Sequence, residues 1–127
     1  MFTITRVYSD AEGDSRFEDI SIPLTEEGAL GKLSEGVPVK ELLFREVAPE
    51  YDYDFHTAPQ RQYIILLDGE IEIETSLGDK RTFKGGDVLL VEDVTGKGHK
   101  TRNLVTEKRR SIFVTLAEGG ERVFQVL

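Results

Sequence analysis

His56 and His99 are the two histidines of the chain, and each stands beside a turn. The first lies in Asp54-Phe55-His56-Thr57-Ala58-Pro59 and the second in Gly96-Lys97-Gly98-His99-Lys100. Imidazole changes charge nearer neutral pH than any other side chain and is the commonest nitrogen donor to metals. A converging pair can therefore shuttle a proton, hold a cation or bind a polar ligand. A histidine that does none of these usually caps a turn or satisfies a backbone carbonyl. The chain has no cysteine, which excludes disulfides, thiolate metal sites and cysteine nucleophiles. Any metal must be held by imidazole, carboxylate or amide.

Residues two apart share a face of an extended segment, so Asp52, Asp54, His56 and Ala58 point the same way if that stretch is extended. Asp54 then either completes a metal site or accepts a hydrogen bond from His56, fixing its tautomer and raising its pKa as a general base requires. The same alternation in Gln60-Arg61-Gln62 puts Gln62 on the pocket face and Arg61 on the other. Asn103, four after His99, shares its face and is expected to bond neighbouring backbone, whereas Arg102 lies opposite. Tyr51, Tyr53 and Tyr63 are available as acids, although a tyrosine at a strand edge is usually a half-buried packing residue. The segment Glu92–Gly98 adds two acids, two glycines and Lys97 beside His99, where they either select a polar ligand at a pocket mouth or form a solvated turn.

These residues need a scaffold of strands. Ile71-Glu72-Ile73-Glu74-Thr75 alternates with period two, the mark of a strand with one wet face. Tyr63-Ile64-Ile65-Leu66-Leu67 is apolar throughout, as in a strand covered on both sides, and Asp68-Gly69 predicts a type I′ hairpin joining the two. A second hairpin is expected at Gly78-Asp79, and Gly85-Gly86 turns the chain into Asp87–Val91. Further strands are expected at Phe2–Tyr8, Phe17–Ile22, Val39–Val47, His99–Val105, Ser111–Leu116 and Arg122–Val126. Leu24–Val37, broken by Gly28, Gly31, Gly36 and Pro38, reads as a loop with at most one helical turn, its Leu30 and Leu33 closing a barrel end or packing on a neighbour. Lys108-Arg109-Arg110 reads as a solvated turn. About eight to eleven short antiparallel strands that must hide their edges leave a sandwich, a jelly roll or a closed barrel.

The length, 127 residues, fits one all-β domain over 1–127. Acids outnumber bases 24 to 16, a net charge of −8 that repels phosphate backbones and anionic membranes. The expectation is a soluble, cytoplasmic protein with no nucleic-acid and no membrane partner.

Counting back from Gly69, Gln62 stands where a Glu would precede the glycine, and His56 and Ala58 stand where two His would be separated by one residue. A second motif runs from Gly86 to His99 and Asn103, its Pro-x-Gly turn replaced by the longer Glu92–Gly98. In this spacing, over about residues 39–116, the chain resembles the cupin family. The resemblance implies a double-stranded β-helix, or jelly-roll barrel, with a small-molecule pocket and often Fe, Mn, Ni or Zn held by three His and one Glu. On this chain it carries over to His56, Gln62 and His99, with Asp54 or water completing a metal site if one exists. Two imidazoles and an amide offer no negative charge to a dication, so metal is expected to be weakly bound or absent. Metal-independent relatives such as sugar epimerases pair a His with an Asp and use a Tyr acid. The resemblance thus implies a small polar organic ligand, with a metal-dependent dioxygenase- or isomerase-like enzyme and a non-catalytic dimerisation or sensing module as alternatives. A homodimer is also implied, through outer strands such as Tyr63–Leu67 or the terminal Val123–Leu127.

Overall fold

The computed structural model describes residues 2–117 and 124–126. Strands β1 (Phe2–Ser9), β2 (Ser15–Ile22), β3 (Glu26–Gly28), β4 (Gly31–Leu33), β5 (Val39–Val47), β6 (Asp52–His56) and β7 (Gln62–Leu66) are followed by β8 (Glu70–Thr75), β9 (Lys80–Lys84), β10 (Val88–Val91), β11 (His99–Asn103), β12 (Arg109–Leu116) and β13 (Gln125–Val126). No helix among the described residues is long and apolar enough to cross a membrane. The chain is all-β, as the turn density predicts.

Two sheets build the body. One runs β13-β2-β1-β10-β7-β12-β5 and the other β6-β11-β8-β9. Alternation decides what lies between them. In the larger sheet Ser111 pairs with Leu66, Phe113 with Ile64 and Thr115 with Gln62, while Leu89 meets Ile64 and Val91 meets Gln62, so these side chains share the inner face. From the smaller sheet Ile71 and Ile73 oppose them, and with Leu66, Phe83, Leu89 and Val91 they make the inter-sheet core. A second cluster, Ile4, Ile20 and Leu90 with Tyr63 and Phe124 against it, covers the other face of the larger sheet. This double burial explains the unbroken apolar run of β7.

Successive strands often change sheet, and this overturns one expectation. β7 pairs with β10 and β12 and β8 pairs with β11 and β9, so the two do not form a hairpin. Asp68 does not take a positive φ; Gly69 alone does, at +73°. The Asp68 carboxylate instead accepts the backbone N–H of Arg110 at 2.7 Å and its Nε–H at 2.8 Å, tying the sheet crossing to β12. A Cβ on Gly69 would stand 3.0 Å from the Arg109 side chain, so the crossing needs glycine twice over.

Three other expectations change. Leu24–Val37 holds no helical turn but the two-stranded ribbon β3–β4, and Leu30 and Leu33 are exposed rather than closing the barrel end. Lys108-Arg109-Arg110 is not wholly a solvated turn: Arg109 and Arg110 begin β12, and Arg109 is 1% exposed. β6 is an additional strand, defined by its pairing with β11. The expected strand at Arg122–Val126 is described only at Gln125–Val126, and Arg122 and Val123 lie outside the described residues, as does part of the terminal apolar run.

Candidate functional site

A cavity of about 310 Å³ opens between the two sheets. β11 and β6 pair with His99 opposite His56, which places both imidazoles in its wall, their ring centroids 4.6 Å apart. The edge of Tyr53 packs on His56 at 4.1 Å. Gly98 allows this approach: it has φ +80°, and a Cβ there would fall 2.1 Å from the His56 carbonyl oxygen. Gln62 enters the same space from β7 and is buried. The three residues picked from spacing thus line one cavity.

Asp54 does not join them. Its exposed carboxylate accepts the Phe55 N–H at 2.8 Å, and His56 Nδ1–H donates to its backbone carbonyl, also at 2.8 Å. The strand twists at an irregularity between His99 and Thr101, so the parity that grouped Asp54 with His56 fails. The carboxylate that holds an imidazole is Asp93, fully buried, whose Oδ2 accepts His99 Nδ1–H at 2.5 Å and Ser15 Oγ–H at 2.7 Å. Its Oδ1 is buried without a partner. With both Nδ1 atoms engaged, Nε2 of each ring is left for whatever enters the cavity. Burial, and secondarily the nearby His99, pushes the His56 pKa below the usual histidine range, against the raising effect of the Asp54 carbonyl.

The Glu92–Gly98 segment is not a solvated turn throughout, since Glu92 and Asp93 are buried. Glu92 accepts Nε–H bonds from Arg6 and Arg61 at 2.5 Å each; Glu92 and Arg6 are buried and Arg61 is partly exposed. Lys97 pairs with Asp14 at 3.0 Å and its N–H donates to the Gly13 carbonyl, while Ser9 Oγ–H donates to the Thr95 carbonyl. The segment is bolted to the turn between β1 and β2. Asn103 donates to the carbonyls of Ala48 and Pro49, as expected of it, and also accepts Arg109 Nε–H at 2.8 Å. Arg102 pairs with Glu72 on the outside.

Two wall residues, Arg45 and Arg109, were not legible as site residues. They are diagonal neighbours on the inner face, since Ser111 pairs with Arg45 and Arg109 with Val47. The Arg45 guanidinium lies 4.9 Å from the ring centroids of Tyr51 and Phe113. The one available signal was parity: Arg109 falls in step with Ser111, Phe113 and Thr115.

A divalent metal of the three-His, one-Glu kind does not fit this wall. His56, His99 and Gln62 are the donors, no Asp or Glu among the described residues lines the cavity, and two guanidinium groups share it. Among the described residues no three His, Cys, Asp or Glu side chains come together as a metal site.

No protein-family model matches the sequence, and no curated protein matches it. Solved structures do. A Cupin 2 conserved barrel domain protein from Salinispora arenicola CNS-205 is 22% identical with a TM-score of 0.50, over 61% of this chain and 62% of that one, so the match spans less than two thirds of its length. The Schizosaccharomyces pombe Cnp3 cupin domain is 15% identical over 91% of this chain and 85% of that one, TM-score 0.48. The Drosophila melanogaster CENP-C cupin domain is 15% identical over 89% and 74%, TM-score 0.47. Two facing sheets around a cavity, antiparallel except for the parallel β1–β10 pair, together with the first of these likenesses, give this chain the cupin fold.

Proposed function

We propose that the chain is a small-molecule-binding cupin barrel whose cavity takes a small polar organic molecule, with His56, Gln62 and His99 holding its polar atoms. The observation that carries this reading is the convergence of two imidazoles and an amide on one 310 Å³ space, within the size range of ligand pockets. Walls of Ile64, Leu66, Ile71, Ile73 and Leu89 supply the apolar surface such pockets use. Metal is not required for this binding.

A thermal-shift screen of small polar metabolites against the full chain, His56→Ala and His99→Ala tests it. At least one compound should raise the melting temperature of the unmutated chain and lose that effect in both variants. No stabilising compound, or stabilisation indifferent to both substitutions, overturns the reading.

A second reading, an enzyme that moves a proton at His99, is favoured by the 2.5 Å contact with Asp93, which fixes the ring and its tautomer. The metal-dependent alternative lacks a comparable observation. We also propose that two copies associate through β5. This nine-residue strand is an edge of the larger sheet and exposes Leu42, Leu43 and Phe44, the last at 83%. A two-fold axis would pair that edge with itself and satisfy its free backbone groups.

A further inference from the structure

We propose that the molecule held in the cavity is an organic carboxylate, its anionic group bound by Arg109 and Arg45. This rests on the small-molecule reading above and names the class of ligand. The first ground is an imbalance. Arg6, Arg16, Arg61, Arg81, Arg102 and Arg110 each have a carboxylate partner, whereas Arg45 and Arg109 have none. The chain is not short of acids, with 24 against 16 bases. Yet among the described residues the two arginines left without one are the two that face the cavity.

The second ground is Arg109 itself. It is 1% exposed, its Nε–H is spent on the neutral Asn103 amide, and its Nη2 is buried with no partner. Burial and the adjacent Arg45 charge lower its pKa, the mark of a cation lacking compensation. A guanidinium in that state is costly unless something in the cavity accepts its hydrogen bonds. A planar carboxylate matches its fork.

The third ground is rigidity. Asn103 is clamped by the Ala48 and Pro49 carbonyls and so fixes the direction of the Arg109 fork, and Tyr51 lies against both guanidinium groups. Such preorganisation lowers the cost of binding. The apolar walls then take the ligand body, and His56 and His99 its far polar end.

The test measures binding of benzoate, phenylacetate and hexanoate to the full chain beside their neutral amides, with inorganic phosphate as a third arm. At least one acid should bind about tenfold or more tightly than its amide, as a charge-assisted pair to arginine requires. Arg45→Gln and Arg109→Gln should each abolish that preference, and Arg102→Gln, on the outer surface, should keep it. Because Arg109 is buried, the ¹⁵N shift of its Nε–H in the unmutated chain is followed as well, and an acid that binds should move it. Amides binding as well as acids, phosphate binding more tightly than every acid, or acids leaving the Arg109 signal unmoved would each overturn the inference. If only neutral compounds bind, and do so through His56 and His99, the carboxylate inference fails and the small-molecule reading stands. If nothing of either kind binds, both fall.

Discussion

Asp93 Oδ2 and His99 Nδ1 meet at 2.5 Å inside the protein, with the carboxylate wholly buried and Ser15 its one other hydrogen-bond donor among the described residues. This pair locks one of the two cavity imidazoles from behind. Asp93→Ala strands the His99 Nδ1–H and the Ser15 hydroxyl in a space water does not reach, and should cost about 2–4 kcal/mol. Urea unfolding measures it, and a loss under about 0.5 kcal/mol would mean that the pair does not hold the fold.

Glu92 and Lys97 lie in one segment but should behave oppositely. Glu92→Ala takes their shared acceptor from the buried Arg6, which keeps Glu18 at 2.9 Å, and from the partly exposed Arg61, and should cost about 2–4 kcal/mol. Lys97→Ala removes an exposed ammonium from a pair whose carboxylate keeps Ser76 as a donor, and should cost clearly less than Glu92→Ala. Equal effects in a denaturation series would refute the contrast.

Acidification should weaken the fold through His56. Its pKa in the folded chain is held below the unfolded value, chiefly by burial, so the stability tied to its neutral form is present above about pH 6.5. That stability is lost as pH falls from there through the folded-state pKa, because the unfolded chain takes up the proton first. A set of unfolding curves between neutral and mildly acidic pH should show the decline, and His56→Gln should flatten it. An identical slope in the variant would assign the decline to other groups.

Gly98→Ala should be severe and Gly28→Ala harmless. At Gly98 the added carbon would meet the His56 carbonyl oxygen at 2.1 Å with φ at +80°, so β6 and β11 must part. At Gly28 nothing lies within 4 Å and φ is ordinary, so alanine there should be neutral or stabilise by up to about 1 kcal/mol. Melting temperatures of the two variants decide the matter.

Phe44→Lys tests the β5 association. A charge at this 83% exposed edge position should shift gel-filtration elution from dimer toward monomer and leave the circular dichroism spectrum unchanged. A monomer in the unmodified chain at high concentration would remove the proposal.

Periodicity located strands because it reports which face is covered: Val39–Val47 matches β5, and the Ile71–Thr75 alternation matches β8 to within a residue. It did not report partners. Asp68-Gly69 reads locally as a hairpin, but the partner of β7 is fixed by the complementary faces of β10 and β12, far away in sequence. Spacing around Gly69, Gly86 and His99 found His56, Gln62 and His99, because strand parity preserves which side chains look inward. Asp54 was misplaced where that parity slips at an irregularity in the β6–β11 pairing. Arg109 stayed hidden between Lys108 and Arg110, since three adjacent cations look solvated until the third dimension shows one of them turned inside. Asp93 was equally disguised by the glycines and lysine around it.

β1 lies parallel to β10, with Val7 beside Val91, so the first strand supports a wall of the cavity from more than half the chain away. No partial fold can contain that enclosure, because its lining comes from β5, β6, β7, β8, β10, β11 and β12 at once. An occupant therefore couples to global rather than local opening, and the slowest-exchanging amides of those seven strands should gain protection together when it binds.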